Sequence, residues 1–242
     1  NKIVLEHYPA SKLPADLRAG IAPDASVTVT IQEEGRKLID REDMLRLMRD
    51  AQANAPGTSL KEADHVFAPF VTSGMIDGAD RLYLDTNVFI AMFERNDELA
   101  RLLLHLFSLN NDISKPFLTT SELSLAELLV LPYREGDDRL QHVYDNATIS
   151  NEMIEVGPVN RDVLWQAAVL KASYTKLKLP DAIHLSTAML FRCSHFLTAD
   201  KRLFGTYSTA QRRGGVYGPA VAIETMALDV ANLQSLIAGF TA

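Results

Sequence analysis

The sequence predicts an α/β fold, with a parallel sheet covered by helices on both faces, preceded by a small strand-and-helix region. Three observations lead there. From Arg81 onward, short apolar runs alternate with stretches of helical periodicity, and short buried strands separated by helices imply parallel pairing. Before residue 74 the style differs: a Pro-punctuated stretch through Pro9, Pro14 and Pro23 leads to Val27-Thr28-Val29-Thr30-Ile31, whose strict alternation is that of a half-buried strand. The length of 242 residues suits one main domain plus a small appendage. The expected division is therefore residues 1–74 and 75–242, with no internal repeat or low-complexity stretch in either.

The elements of the larger region follow in order. Leu82-Tyr83-Leu84 reads as a buried strand, followed by helices over Asn87 to Glu94 and Glu98 to Leu109. Phe117-Leu118-Thr119 is the next strand; helices over Ser121 to Leu131 and Gly136 to Thr148 lead to a third strand, Met153 to Val156. Arg161 to Tyr174 and Asp181 to Arg192 are helical, the second beginning beside Pro180 with an acid in its first turn. His195 to Thr198 is a fourth strand and Ala220 to Thr225 a fifth, with Gly214-Gly215 a turn before it.

In the smaller region Ile3-Val4-Leu5 and Val27 to Ile31 form a two-stranded module. From Asp40 to Ala51, Met44, Leu45, Leu47 and Met48 recur at near-helical spacing behind an acidic first turn, which predicts a one-sided helix. Ser59-Leu60-Lys61-Glu62 looks like a helix start, and a tail follows with Val66, Phe67, Phe70 and Val71. So few large apolar groups make a marginal core, so this region is expected to fold against a partner surface.

Composition excludes several classes. No apolar run approaches the roughly 18 residues of a membrane span, and the first apolar run meets Glu6 too early for a signal-peptide core, so a cytoplasmic protein is expected. The formal net charge of −7 argues against a broad basic surface for nucleic acid, although Lys171, Lys176, Lys178, Lys201, Arg202, Arg212 and Arg213 are available for a local basic rim. The one cysteine, Cys193, cannot form an internal disulfide and lies in an apolar helical pattern, which points to burial.

Four carboxylates stand out by position. In a parallel sheet, ligands bind beyond the carboxyl ends of the strands. Asp85 directly follows Leu82-Tyr83-Leu84, Asp200 follows the strand ending at Thr198, and Asp181 opens a helix. Glu127 lies about two turns into its helix, on a stripe with Leu123, Ser124 and Leu131, where an unpaired charge is costly. Taken singly, the aspartates also read as ordinary turn residues or helix caps. Converging, four carboxylates repel one another unless cations sit between them, and hard ions such as Mg²⁺ or Mn²⁺ prefer oxygen ligands. The chain carries no Gly-rich phosphate loop of the G-x-x-x-x-G-K type.

The stretches Leu84-Asp85-Thr86-Asn87, Leu125-Ala126-Glu127-Leu128, Leu179-Pro180-Asp181-Ala182-Ile183-His184 and Leu197-Thr198-Ala199-Asp200-Lys201-Arg202-Leu203 resemble, in order and spacing, the four motifs of PIN-domain nucleases, especially VapC-type toxins. The resemblance implies a PIN-like three-layer α/β/α fold and an endoribonuclease in which Asp85, Glu127, Asp181 and Asp200 hold Mg²⁺ or Mn²⁺ against an RNA substrate. Asn87 and Thr198 match polar positions that support the acids. His184 either faces the same way as Asp181 or is a packed or surface histidine. The resemblance also implies a homodimer.

The order Ile3 to Tyr8, Leu13 to Gly20 and Val27 to Gln32 resembles the start of small VapB-type antitoxins, and Met75-Ile76-Asp77-Gly78 resembles the start of a second reading frame. The chain then reads as an antitoxin-like segment joined to its toxin; the competing reading is an ordinary N-terminal extension. By this resemblance the segment after Asp40 wraps the nuclease, with Phe67 and Phe70 as anchors and one of Arg46, Arg49 or Lys61 offered to the carboxylates. Operator DNA is a further partner that the resemblance implies. Two functions follow: a metal-dependent endoribonuclease toxin held with its inhibitory segment, or a non-catalytic PIN-like module for RNA binding or assembly.

Overall fold

A computed structural model describes residues 2–14, 17–18, 20–22, 24–32, 41–53, 81–109, 117–213 and 216–241, and the chain divides into two units, 1–38 and 39–242. The first unit is a two-stranded antiparallel sheet, β1 (Lys2–Pro9) with β2 (Ser26–Gln32), in which Leu5 faces Val29 and Tyr8 faces Val27. A register irregularity between Leu5 and Tyr8 accompanies His7, whose φ is +56°.

The second unit begins with α1 (Arg41–Ala53). Then come β3 (Arg81–Leu84), α2 (Thr86–Glu94), α3 (Glu98–Ser108), β4 (Leu118–Ser121), α4 (Glu122–Glu135), α5 (Asp138–Ala147) and β5 (Ile154–Gly157). The chain continues through α6 (Arg161–Ser173), α7 (Leu179–Leu190), β6 (Cys193–Thr198), β7 (Thr206–Arg213), β8 (Val216–Ala227) and α8 (Val230–Thr241). Strand order is β5-β4-β3-β6-β8-β7; the first five pair in parallel and β7 runs antiparallel on the β8 edge.

Alternation along the strands divides the core in two. Leu82, Leu84 and Leu197 point to one face, packed with Val88, Phe89, Leu103, Phe107, Val143 and Tyr144 from α2, α3 and α5. Tyr83 and Phe196 point to the other, with Val163, Ala167, Leu185 and Ala188 from α6 and α7. Successive side chains of a strand face opposite sides, so each sheet face carries its own helical layer. Tyr83 and Phe196 stack across neighbouring strands, ring centroids 4.9 Å apart. Among the described residues no helix is long and apolar enough to cross a membrane.

The helix expected behind Asp40 is α1, and Met44, Met48 and Ala51 are buried in the first of these cores. It packs on α2, α3 and α5, and Gln52 donates a side-chain hydrogen bond to the carbonyl of Ala100 at 2.8 Å. The expected helix start at Ser59, the tail with Phe67 and Phe70, the segment from Met75 and the turn at Gly214-Gly215 lie outside the described residues.

Several sequence expectations need correction. Cys193 is buried but opens β6 instead of belonging to a helix, because α7 ends at Leu190 and Arg192, at φ +57°, turns the chain into the strand. The helix expected to stop at Leu131 runs through Pro132 to Glu135 and ends at Gly136, whose φ of +69° suits a left-handed cap. Leu131 is exposed, so the buried stripe of α4 is Ser124, Leu128 and Pro132, with Glu127 half-buried beside it. Strand β7 and helix α8 were not anticipated.

Candidate active site

The strand order reverses between β3 and β6: the chain moves outward through β4 and β5 on one side and through β6 and β8 on the other. Loops diverge at the carboxyl ends of such a pair and leave a crevice. Asp85 and Asp200 follow these two strand ends, and the Asp85 N–H donates to the carbonyl of Leu197 at 3.1 Å.

Asp85 caps α2. Its carboxylate accepts from the Thr86 N–H at 2.8 Å, from the Thr198 hydroxyl at 2.6 Å and from the Asn87 side-chain amide. Asn87 Nδ2 also donates to Thr198 Oγ1 at 3.1 Å, and its Oδ1 accepts from the Ala199 N–H at 2.8 Å. Thr198 Oγ1 accepts in turn from the Asp200 N–H at 3.0 Å, which fills the hydroxyl's one donor and two acceptor positions. Asn87 and Thr198 thus tie the loop after β6 to the start of α2.

Asp200 caps the short turn Lys201–Leu203 and accepts from the Arg202 N–H at 3.0 Å; the Arg202 guanidinium forms an ion pair with it. The hydrogen bonding of that guanidinium is the largest reason why the Asp200 carboxyl lies below the usual carboxylate range, with the Arg202 N–H and Lys178 adding to it. Asp181, in the first turn of α7, is shifted the opposite way. Burial raises its pKa first, the Lys178 N–H lowers it, and the charges of Asp200 and Asp85 raise it further. Two strand-end aspartates and one in the first turn of a helix therefore share one electrostatic environment, in which the charge of Asp181 is disfavoured.

Glu127 is linked to the same place through Thr86, whose hydroxyl donates to its Oε2 at 2.5 Å. His184 Nε2 lies 3.0 Å from that same oxygen, and the ring's Nδ1 lies 2.8 Å from the hydroxyl of Tyr83. Burial works against the Glu127 charge, but the His184 and Thr86 hydrogen bonds outweigh it and hold the carboxyl below its ordinary value. His184 is 2% exposed, so it is a packed histidine that also touches the acid. Thr120 and Ser124 extend the polar path, their hydroxyls 2.9 Å apart and the Thr120 hydroxyl donating to the Leu84 carbonyl at 2.9 Å.

The PIN-domain family model matches residues 82–208, more than half of the chain and all four acids. The chain belongs to the PIN-domain family. Three solved structures are similar: a toxin-antitoxin complex from Klebsiella pneumoniae (24% identity, 51% of this chain and 88% of that one, TM-score 0.38); VapBC2 from Rickettsia felis bound to a fragment of promoter DNA (17%, 49% and 86%, 0.39); and VapC20 from Mycobacterium tuberculosis, a sarcin-ricin-loop-cleaving toxin (17%, 48% and 86%, 0.38). Among curated proteins none matches.

In this PIN domain the donor chemistry suits a hard divalent cation: oxygen-only carboxylates, one with its charge disfavoured by burial and by the charges of the other two. As they stand, no three His, Cys, Asp or Glu side chains among the described residues are grouped to hold an ion. A cation that pairs with one of these aspartates, Asp200, is Arg202, a residue read from sequence only as part of a basic rim. Arg46 instead pairs with Asp43 of its own helix, beside His142 of α5, and Arg49 is exposed; Lys61, Phe67 and Phe70 lie outside the described residues. Thr86 and Tyr83 were not singled out, and the only hint of Tyr83 was an aromatic hydroxyl inside an otherwise aliphatic strand.

Proposed function

We propose that residues 75–242 are a metal-dependent endoribonuclease of the toxin type, and that residues 1–74 are its antitoxin-like inhibitory region. The observation that carries the reading is the convergence of Asp85 and Asp200 beyond the adjacent ends of β3 and β6, at the switch point of the sheet, where their charges add to burial in raising the pKa of Asp181, an effect a bound cation would relieve. Asp85, Asp181 and Asp200 would hold Mg²⁺ or Mn²⁺, with Glu127 behind them. When bound, the ion would supply an activated water for hydrolysis of a phosphodiester. The chain's own residues do the rest: Asn87 and Thr198 keep Asp85 aimed, and Lys178 and Arg202 give the rim the positive charge that RNA phosphates need.

The inhibitory role draws on α1. Its methionine face is buried against three helices of the nuclease unit, as a wrapping segment requires. Binding of operator DNA by the N-terminal region, homodimerisation and a cytoplasmic location are carried over from the toxin resemblance and the sequence reading. A second reading, a non-catalytic module that binds RNA or supports assembly, draws on the ion pair of Arg202 with Asp200, which fills a metal-binding carboxylate with a protein cation.

The deciding experiment measures cleavage of a mixed RNA substrate by residues 75–242, and by the same fragment carrying Asp85→Asn, with Mg²⁺, Mn²⁺ or EDTA. Cleavage that needs the metal and is abolished by the substitution is the expected result. RNA binding without cleavage by the folded fragment supports the non-catalytic module, and cleavage undiminished by Asp85→Asn overturns the assignment of the site.

A further inference from the structure

Glu127 sits in a helix that supplies no obvious means of orienting it. Its neighbours along α4 at helical spacing are Leu123, Ser124 and Leu131, and its side chain is about one-third exposed, so packing alone leaves the carboxylate free to rotate. Yet both described hydrogen bonds to it, from Thr86 and from His184, end on the same oxygen, Oε2. His184 itself is held at its far nitrogen by Tyr83, a fully buried phenol clamped by stacking on Phe196.

We propose that Tyr83 and His184 are positioning residues: the Tyr83 hydroxyl donates to Nδ1, which leaves the proton on Nε2, and the Nε2–H orients Glu127 by donating to its Oε2. The chemistry of the partners dictates the direction. An ionised carboxylate only accepts, so the nitrogen facing Glu127 must carry hydrogen. In neutral imidazole the other nitrogen is then an acceptor, and a phenol beside it supplies the donor. With Oε2 occupied twice, Oε1 is the oxygen left for the crevice chemistry. The rigidity of the relay comes from the second core, since Tyr83 and His184 are both buried and lie in different elements, β3 and α7. Partners of this kind, one shell behind an acid, fix ring orientation and tautomer.

The inference rests on the nuclease reading for its purpose, but its test does not depend on activity. In the full chain, the ¹⁵N shifts of the His184 ring at pH 7, without metal, should show Nε2 protonated and Nδ1 not. Tyr83→Phe should give a mixture of tautomers in a protein that melts as one folded unit. An Nδ1–H tautomer or an imidazolium in the wild-type chain overturns the proposal, as does a tautomer unchanged in Tyr83→Phe.

A second measurement separates positioning from packing. Mn²⁺ affinity, read by water-proton relaxation, should fall about tenfold to hundredfold in His184→Leu, which keeps much of the bulk without the donor. It should largely recover in His184→Gln, whose amide nitrogen reaches where Nε2 was. Equal losses in the two variants would assign His184 a packing role and sink the idea. If Mn²⁺ does not bind the wild-type chain at all, it is the metal-dependent reading that falls, and the ring tautomer still decides the positioning role.

Discussion

Thr198 donates its hydroxyl proton to Oδ2 of Asp85 at 2.6 Å while accepting from the Asp200 N–H at 3.0 Å, so one side chain at the end of β6 links the Asp85 carboxylate to the backbone of Asp200. Thr198→Val keeps the shape and removes both bonds together with the one accepted from Asn87. Hydrogen-bonding partners of metal-binding acids typically account for about 10–100-fold in activity or affinity, and RNA cleavage by residues 75–242 should fall by that amount. Thr198→Ser should restore most of it. Unchanged cleavage in the valine variant would show that the bond does not aim Asp85.

Met44 and Met48 test the inhibitory reading. Both are almost fully buried under α1, and replacing the pair with aspartate puts two charges into the first core. The helix should detach, seen as fast amide exchange over residues 41–53, and RNA cleavage by the whole chain should rise toward that of residues 75–242. A detached α1 with no gain in cleavage would mean that this helix does not restrain the nuclease.

Asp97 offers a prediction about pH. It caps α3 by accepting from the Ala100 N–H at 3.1 Å and pairs with Arg95. Burial raises its pKa, but the bonds from Arg95 and the α3 backbone outweigh this and leave it lowered. A carboxyl lowered on folding contributes stability above its unfolded pKa and loses it as pH falls through the folded value. Asp97→Ala should therefore cost about 1 kcal/mol in urea melts at pH 7, and the gap from wild type should shrink below about pH 4. A gap that stays constant into acid would contradict the assignment.

Cys193 illustrates how a correct expectation can rest on the wrong element. It is buried, and burial pushes its thiol up to about 12, as the apolar surroundings suggested. The residue nevertheless begins a strand, because an apolar run of this length serves a buried helix or a buried strand equally well. The edge strand β7 went unseen for a related reason. Thr206 to Arg213 is polar, and among its described side chains Tyr207 and Thr209 are the buried ones, so its place depends on pairing with β8.

The sequence by itself determined five of the six strands of the main sheet, the helices that connect the parallel ones, and the position of Asp85 and Asp200 just past strand ends. These features arise from patterns a few residues long, where chain geometry alone sets which way a side chain points. The tertiary structure decided the relationships. Asp85 and Thr198 are 113 residues apart in the chain, Tyr83 and His184 are 101 apart, and His184 and Glu127 are 57 apart. No periodicity connects such residues. They meet because β6 lies beside β3 in the sheet and α7 packs over their shared face, an arrangement set by burying both faces at once. Arg202 reaches Asp200 for a different reason: the two stand two residues apart in one turn, so their pairing is local, and it is the place of that turn beyond β6 that gives the crevice a protein cation.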